Sequence, residues 1–170
     1  MTAFIALLRA VNVGGTGKLP MTELKAMCEQ AGFTKVKTYI ASGNVVFQSS
    51  KSEAQVKKLL EASLAAYAGK PVSVMVRTAA EMAAVLAANP FPEAPANKTV
   101  AIFLDAAPSA NFLEAVTHQA SEQLRPGLRE IYGYYPDGQG ESKLKIPAAK
   151  NGTARNINTV AKLAEMAAGL

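Results

Sequence analysis

Apolar and polar positions along the first half of the chain predict alternating short strands and amphipathic helices. The strands are apolar or β-rich runs, and the helices carry apolar residues three and four positions apart. In order, the pattern gives a strand at 3–11, a helix between Pro20 and Gly32, strands at 35–41 and 45–48, a helix between Ser52 and Gly69, and a strand at 72–76. This β-α-β-β-α-β order is that of a ferredoxin-like fold, with an antiparallel sheet and its helices on one face.

The second helix is the best marked of these elements. Ser52 and Gln55 have the spacing of a capping box, and Gly69 is placed to end the helix. The apolar spacing predicts that its inner face includes Leu59 and Tyr67.

A similar element order follows residue 77. The pattern predicts a helix beginning at Thr78, a strand at 100–104, a helix at 109–123, strands at 128–135 and 143–146, and a last helix from near Asn156. The element order repeats, although the sequence shows no direct repeat. We therefore predict an α+β protein of two ferredoxin-like (alpha-beta plait) subdomains, residues 1–77 and 78–170, each with an antiparallel sheet and helices packed on one face.

The composition is that of a soluble globular protein. Hydrophobic residues make up 49% of the 170 residues and charged residues 18%. No apolar run approaches the roughly 20 residues of a spanning helix, and no basic region precedes the apolar start, so we expect a cytoplasmic protein without a membrane. One cysteine, Cys28, excludes an internal disulfide and a multi-cysteine metal site. We expect no metal and no cofactor.

The net charge of +5 is unevenly distributed. Residues 1–77 hold ten Lys and Arg against four Asp and Glu, a balance of +6, whereas residues 78–170 hold eight against nine, a balance of −1. A basic half favours an anionic partner, although several of these lysines are expected only to solvate helix faces.

Two polar motifs interrupt the apolar strands of the first half. They are residues 9–15 (RAVNVGG) and 42–44 (SGN), and both fall where a strand should end or turn. Arg9 is the one charge in its predicted strand, and a buried guanidinium needs a partner or a function. The candidate ligand-binding residues of this half are Arg9, Asn12, Gly14, Lys18, Ser42 and Asn44.

Two further polar segments occur in the second half. The loop 136–143 offers flexible backbone N–H groups with Ser142 and Lys143, and Arg155 and Asn156 are predicted at a helix start, where anions bind well. The simpler interpretation is a hairpin turn and a helix cap. We predict that Lys143, Arg155 and Asn156 join the first group in one site between the halves. There, Arg9 and Arg155 would clamp the phosphate or carboxylate of a small ligand.

Three other functions stay open. Ferredoxin-like sheets bind RNA through exposed aromatic residues, for which Phe47 is the nearest candidate. Hydrolysis has only the single histidine, His118, and a turn serine, Ser42, so whether the protein is an enzyme is undecided. The chain could also be an interaction module, and a homodimer is possible.

Several motifs together resemble a bacterial family known as domain of unknown function 1697. They are residues 7–15 (LLRAVNVGG), 39–47 (YIASGNVVF), 89–91 (NPF), 138–144 (GQGESKL) and 153–160 (TARNINTV). They cover almost the whole chain. Ile157 departs from the tryptophan of many members, so a ligand site lined by that indole would be less aromatic here. The resemblance implies two ferredoxin-like subdomains and implies no activity.

Overall fold

A computed structural model describes residues 1–12 and 18–170 of the protein. Within these residues the chain forms eight strands in two four-stranded antiparallel sheets, together with four α-helices. This confirms the predicted α+β fold with two ferredoxin-like halves. The chain divides into two compact units, the first formed by Met1–Ala83 with Lys162–Leu170 and the second by Ala84–Ala161. The predicted domain bounds, 1–77 and 78–170, stay a prediction.

The first unit contains a sheet in the strand order β2-β3-β1-β4. Its elements are β1 (Thr2–Leu8), α1 (Met21–Gln30), β2 (Thr34–Tyr39), β3 (Asn44–Ser49), α2 (Glu53–Ala68), β4 (Val74–Thr78) and the start of α3 (Ala79–Ala87). The central strand β1 pairs antiparallel with both β3 and β4. The predicted order of the first half is therefore confirmed, with the strand predicted to begin at residue 72 beginning at Val74.

Local sequence signals explain where α2 begins and ends. Ser52 and Gln55 form the predicted capping box, and Gly69 ends the helix in the left-handed conformation at φ +72°. Its buried residues are Val56, Leu60 and Leu64. Leu59 and Tyr67, predicted on the inner face, are exposed. Leu59 lies one residue, about 100° around the helix, from Leu60. Tyr67 lies three residues after Leu64, on the side of the buried residues but in the exposed last turn of α2.

The core of the first unit lies between its sheet and α1 and α2. Alternate strand residues, such as Phe4, Ala6 and Leu8 of β1, share one hydrophobic cluster with buried residues of both helices. Phe47 stacks on Phe33 in this cluster, with ring centroids 4.3 Å apart and an interplanar angle of 6°. Phe47 is fully buried.

The second unit contains a sheet in the order β6-β7-β5-β8. Its strands are β5 (Thr99–Phe103), β6 (Gln123–Pro126), β7 (Glu130–Tyr134) and β8 (Thr153–Asn156), and β8 leads into α4 (Ile157–Ala168). Short 3₁₀ turns cover Ala96–Lys98, Phe112–Ala115 and Pro147–Ala149. Described residues 1–12 and 18–170 include no helix long and apolar enough to cross a membrane.

The helix predicted at 109–123 is wrong. This segment has one 3₁₀ turn, Phe112–Ala115, and then runs irregularly to β6. Phe112 and Val116 are the side chains of the segment that pack on the core of the unit, whereas Leu113 is 49% exposed. Two anchors one turn apart are too short an apolar stripe to stabilise a helix of that length.

Two predicted strands of the second half also need correction. The predicted strand at 128–135 corresponds to β7, which begins only at Glu130 and forms a hairpin with β6, a strand that was not predicted. Leu128, predicted to begin the strand, lies in the turn between them and is 83% exposed. The strand predicted at 143–146 is instead an isolated bridge between Lys145 and Thr117. Gly and Pro around these segments mark turns whose pairing partners depend on the tertiary fold.

The two sheets are built alike, as the repeated element order predicted, although the halves show no direct sequence repeat. In each, the third strand along the chain pairs with the first and second, and the fourth pairs with the first. Arg77 of β4 lies opposite Ile5, and Arg155 of β8 occupies the matching register opposite Ala101. Each arginine directly precedes a residue that caps the next helix. The repeat is one of topology and register rather than of residue identity.

Candidate functional site

Left-handed backbone is concentrated at one end of the sheet of the first unit, where β1 ends beside the β2–β3 turn. Ala10, Asn12, Ile40 and Gly43 have φ values of +56°, +54°, +50° and +90°. Positive φ is uncommon outside glycine, and for a β-branched residue such as Ile40 it is an outlier. Strained backbone of this kind recurs at functional sites, where surrounding contacts hold it in place.

Asn12 supplies much of the support for this strained region. Its Nδ2 group donates to the backbone oxygens of Leu19 (2.9 Å) and Ala41 (2.8 Å), and its Oδ1 atom accepts from the N–H of Leu19 (2.6 Å). The side chain therefore joins residues 12 and 19 and ties both to the β2–β3 turn. Asn12 therefore positions the backbone around it, and its predicted contact with a ligand stays a prediction.

The motif Ser42-Gly43-Asn44 also makes hydrogen bonds within the fold. Asn44 is fully buried, and its Nδ2 group donates to Tyr39 O and Ser42 Oγ at 2.9 Å each. Gly43 O accepts the N–H of Leu8 at 2.9 Å. The predicted turn is confirmed, and these contacts bring its residues to the end of β1.

Arg9 occupies a different environment from the one assumed in its prediction. The strand ends at Leu8, and Arg9 is exposed, with its backbone N–H bonded to Ser73 O at 2.9 Å. The prediction that the Arg9 guanidinium is buried was wrong, because β1 is shorter than the apolar run that contains it.

A cavity of about 210 Å³ lies beside this strained region, within the first unit. Its walls come from the end of β1, the residues before α1, the last turn of α2 and the residues before β4. The lining residues are Ala10, Val11, Lys18, Leu19, Leu64, Tyr67, Ala68, Lys70 and Val72. Most of the lining is aliphatic, and the lysines and Tyr67 are exposed to solvent.

The charged side chains of the described lining residues are Lys18 and Lys70, and both are cationic. The C-terminus of α2 contributes the opposing field of a helix dipole, equivalent to about half a negative charge. Because two ammonium groups outweigh this half charge, the net charge of the described groups at the cavity is positive.

The candidate residues of the second half, Lys143, Arg155 and Asn156, have different surroundings in the structure. Lys143 lines a cleft of about 310 Å³ with His118 and the acidic residues Glu122, Asp137 and Glu141. Ser142 Oγ donates to Glu122 Oε2 at 2.6 Å. This hydroxyl, and then the N–H of Ala120, lower the pKa of the Glu122 carboxyl. With these carboxylates in its lining, the cleft does not favour an anion.

Arg155 and Asn156 have structural partners in the second unit. Arg155 is buried in β8, where its Nη1 atom donates to Thr153 Oγ1 (2.7 Å) and Ala154 O (2.9 Å), and burial lowers its pKa to about 10. Asn156 Oδ1 accepts the N–H of Thr159 at 3.0 Å and so caps α4, as the simpler interpretation expected. Thr153 and Arg155 lie in a strand rather than at the predicted helix start.

The structure thus brings Asn12, Ser42 and Asn44 together near Lys18. Lys143 lines a cleft whose described lining does not include Arg155 or Asn156. Gly14 lies outside the described residues, and one site formed by both halves stays a prediction. Sequence reasoning missed the cavity walls at Val11, Leu64, Tyr67, Lys70 and Val72. The available signal was an aromatic residue, Tyr67, two residues before the glycine that ends the helix and three before Lys70.

The described residues, 1–12 and 18–170, contain no group of three or more His, Cys, Asp and Glu side chains arranged to hold a metal ion. Cys28 is buried in the core of the first unit. Burial, and then the charge of Glu29, raise the pKa of its thiol to about 12. Cys28 is therefore a packing residue.

Comparison with known proteins places the chain in a family. Its fold is similar to the structure of a conserved bacterial protein, SP0830 from Streptococcus pneumoniae, with a TM-score of 0.77 and 26% sequence identity over 98% of both chains. A search of curated proteins found no match. Residues 1–132 match the family described as Protein of unknown function (DUF1697). The chain belongs to this DUF1697 family of proteins of unknown function.

Proposed function

We propose that the protein binds a small anionic ligand in the cavity of its first unit, with the ligand's carboxylate or phosphate between Lys18 and Lys70. The observation that carries this proposal is the lining itself, in which two cationic side chains stand at the surface of an aliphatic cavity of about 210 Å³. Ligand sites in proteins are usually concave and mostly apolar, with a few polar groups that fix orientation.

The strained backbone beside the cavity supports the same assignment. Ala10 has positive φ and lines the cavity, and Asn12 holds Leu19, another lining residue. A wall fixed in this way is preorganised, which reduces the entropy lost when a ligand binds.

Single-stranded nucleic acid is less favoured. Its binding by a ferredoxin-like sheet needs exposed aromatic rings, and Phe47 is fully buried against Phe33. The excess positive charge of residues 1–77 remains as a source of backbone contacts.

A thermal-shift experiment tests the proposal. The panel contains small carboxylates, phosphates and short single-stranded RNA, each at low and high salt. A ligand at 100 times its Kd adds about 2.7 kcal/mol to the free energy of unfolding, which raises Tm by about 5–10 °C for a chain of this size.

Variants then locate the binding. The double substitution Lys18→Met with Lys70→Met should weaken a small-anion hit about five- to tenfold, because each exposed ion pair contributes up to about 1 kcal/mol. Lys58→Met is the matched control, since Lys58 is exposed on α2 and does not line the cavity. Equal weakening by the control, or stabilisation by RNA alone, would contradict the proposal.

A further inference from the structure

Resting on the function proposed above, we infer that the ligand is a carboxylic acid with an apolar body, an acyl chain or a single ring, and not a sugar phosphate or a nucleotide. The inference comes from where hydrogen-bonding groups stand in the cavity. Among the described lining residues, the side chains that can donate or accept are Lys18, Lys70 and Tyr67, and all three are exposed.

The other lining side chains are aliphatic. They are Ala10, Val11, Leu19, Leu64, Ala68 and Val72. A sugar or a base placed against these walls would have hydroxyl or amide groups that find no partner among the described aliphatic side chains, and each unsatisfied polar group weakens binding by roughly a factor of ten or more. A hydrocarbon body meets no such penalty and removes the aliphatic walls from water.

The volume sets the size of that body. A cavity of about 150 Å³ lined by aliphatic and aromatic side chains holds one benzene molecule, so a cavity of about 210 Å³ holds roughly eight carbon atoms. A body of this size fills the cavity while its carboxylate reaches the exposed lysines. Each methylene that enters should tighten binding about fourfold.

A chain-length series measured by isothermal titration calorimetry tests this inference. The ligands are acetate, butyrate, hexanoate, octanoate and dodecanoate below their micelle concentrations, with octan-1-ol, inorganic phosphate and glucose 6-phosphate for comparison. Affinity should rise about sixteenfold for each two methylenes up to octanoate and then level off. Octan-1-ol should bind about five- to tenfold more weakly than octanoate, because it lacks the charge that the lysines recognise.

Variants separate binding in the cavity from adsorption on a basic surface. Ala68→Leu places extra carbons in the cavity and should weaken octanoate at least tenfold, whereas Ala62→Leu, on an exposed α2 position outside the lining, should leave it unchanged. Circular dichroism establishes that both variants are folded, and a second blocking variant, Val72→Phe, replaces Ala68→Leu if that protein does not fold.

The outcomes distinguish this inference from the proposed function. If inorganic phosphate or glucose 6-phosphate binds as tightly as octanoate, and binding depends on Lys18 and Lys70, the anion site stands and the apolar ligand is refuted. If affinity rises with chain length equally in Ala68→Leu, the acid adsorbs outside the cavity and the inference is also refuted. If no ligand of the series binds, both proposals fail.

Discussion

Replacing Gly43 with alanine tests whether the end of β1 and the β2–β3 turn form one tightly packed unit. Gly43 has φ +90°, and an added methyl would lie 2.6 Å from Val11 Cγ2 and 2.9 Å from Leu8 Cβ. Both distances are shorter than real carbon contacts, so the packing must shift. The backbone strain costs about 1–2 kcal/mol, and overpacking adds about 1–3 kcal/mol. We therefore expect Gly43→Ala to lower the free energy of unfolding by about 2–5 kcal/mol.

The chain contains a matched control for the backbone term. Gly32 has φ +89°, almost the same as Gly43, and an added methyl there meets no atom within 4 Å. Gly32→Ala should therefore lower stability by the strain alone, about 1–2 kcal/mol. Urea unfolding followed by circular dichroism gives both values, and their difference is the steric contribution of the turn.

A double-mutant cycle assigns that difference to Val11, which also lines the cavity. In a Val11→Ala background the closest contact is removed, so Gly43→Ala should cost at least about 1 kcal/mol less than in the wild-type protein. If Gly43→Ala and Gly32→Ala destabilise equally, or if Val11→Ala leaves the cost of Gly43→Ala unchanged, the packing described here is wrong.

Three further predictions follow from other contacts. Asn12→Ala removes three hydrogen bonds and should lower the free energy of unfolding by about 1–3 kcal/mol in urea titration, whereas Asn158→Ala, on an exposed helix position, should have little effect. Because the pKa of Cys28 is raised to about 12, iodoacetamide should label it only after unfolding, and labelling of the native protein at the rate of a free thiol would contradict its buried position. The lowered pKa of Glu122 stabilises the fold above the ordinary carboxyl value of 4.5, and this stabilisation disappears as the pH falls through the lowered value. Glu122→Gln should therefore reduce stability more at pH 7 than at pH 3, and an equal reduction at both values would show that the hydrogen bond from Ser142 does not depend on the charge.

The first half of the fold could be predicted because its signals are local. The capping box at Ser52 and the turn at Gly43 specify their own backbone, and β3 between them contains the apolar run 45–47. The segment 109–123 lacks such signals, since Phe112 and Val116 satisfy a helical spacing as well as an irregular path across the core. Its conformation is decided by tertiary packing, which the local pattern does not contain.

The candidate site was predicted less completely than the fold. The polar motifs predicted at strand ends lie beside the cavity proposed above, and Asn12 and Asn44 bond backbone groups within the fold. Their binding of a ligand stays a prediction. The sequence could not distinguish these roles, because an asparagine that supports a left-handed turn and one that binds a ligand occur in the same kind of loop. The cavity walls were missed since Leu64 and Val72 are ordinary apolar residues until α2 and β4 bring them together.

The most direct test of a ligand site in this cavity is a titration of the isotopically labelled protein with octanoate, followed by amide NMR shifts. Saturable shifts should be concentrated at lining residues such as Ala10, Leu19 and Val72, and should be lost in Ala68→Leu. Shifts spread evenly over exposed lysines, or the same shifts in Ala68→Leu, would contradict a ligand site in this cavity.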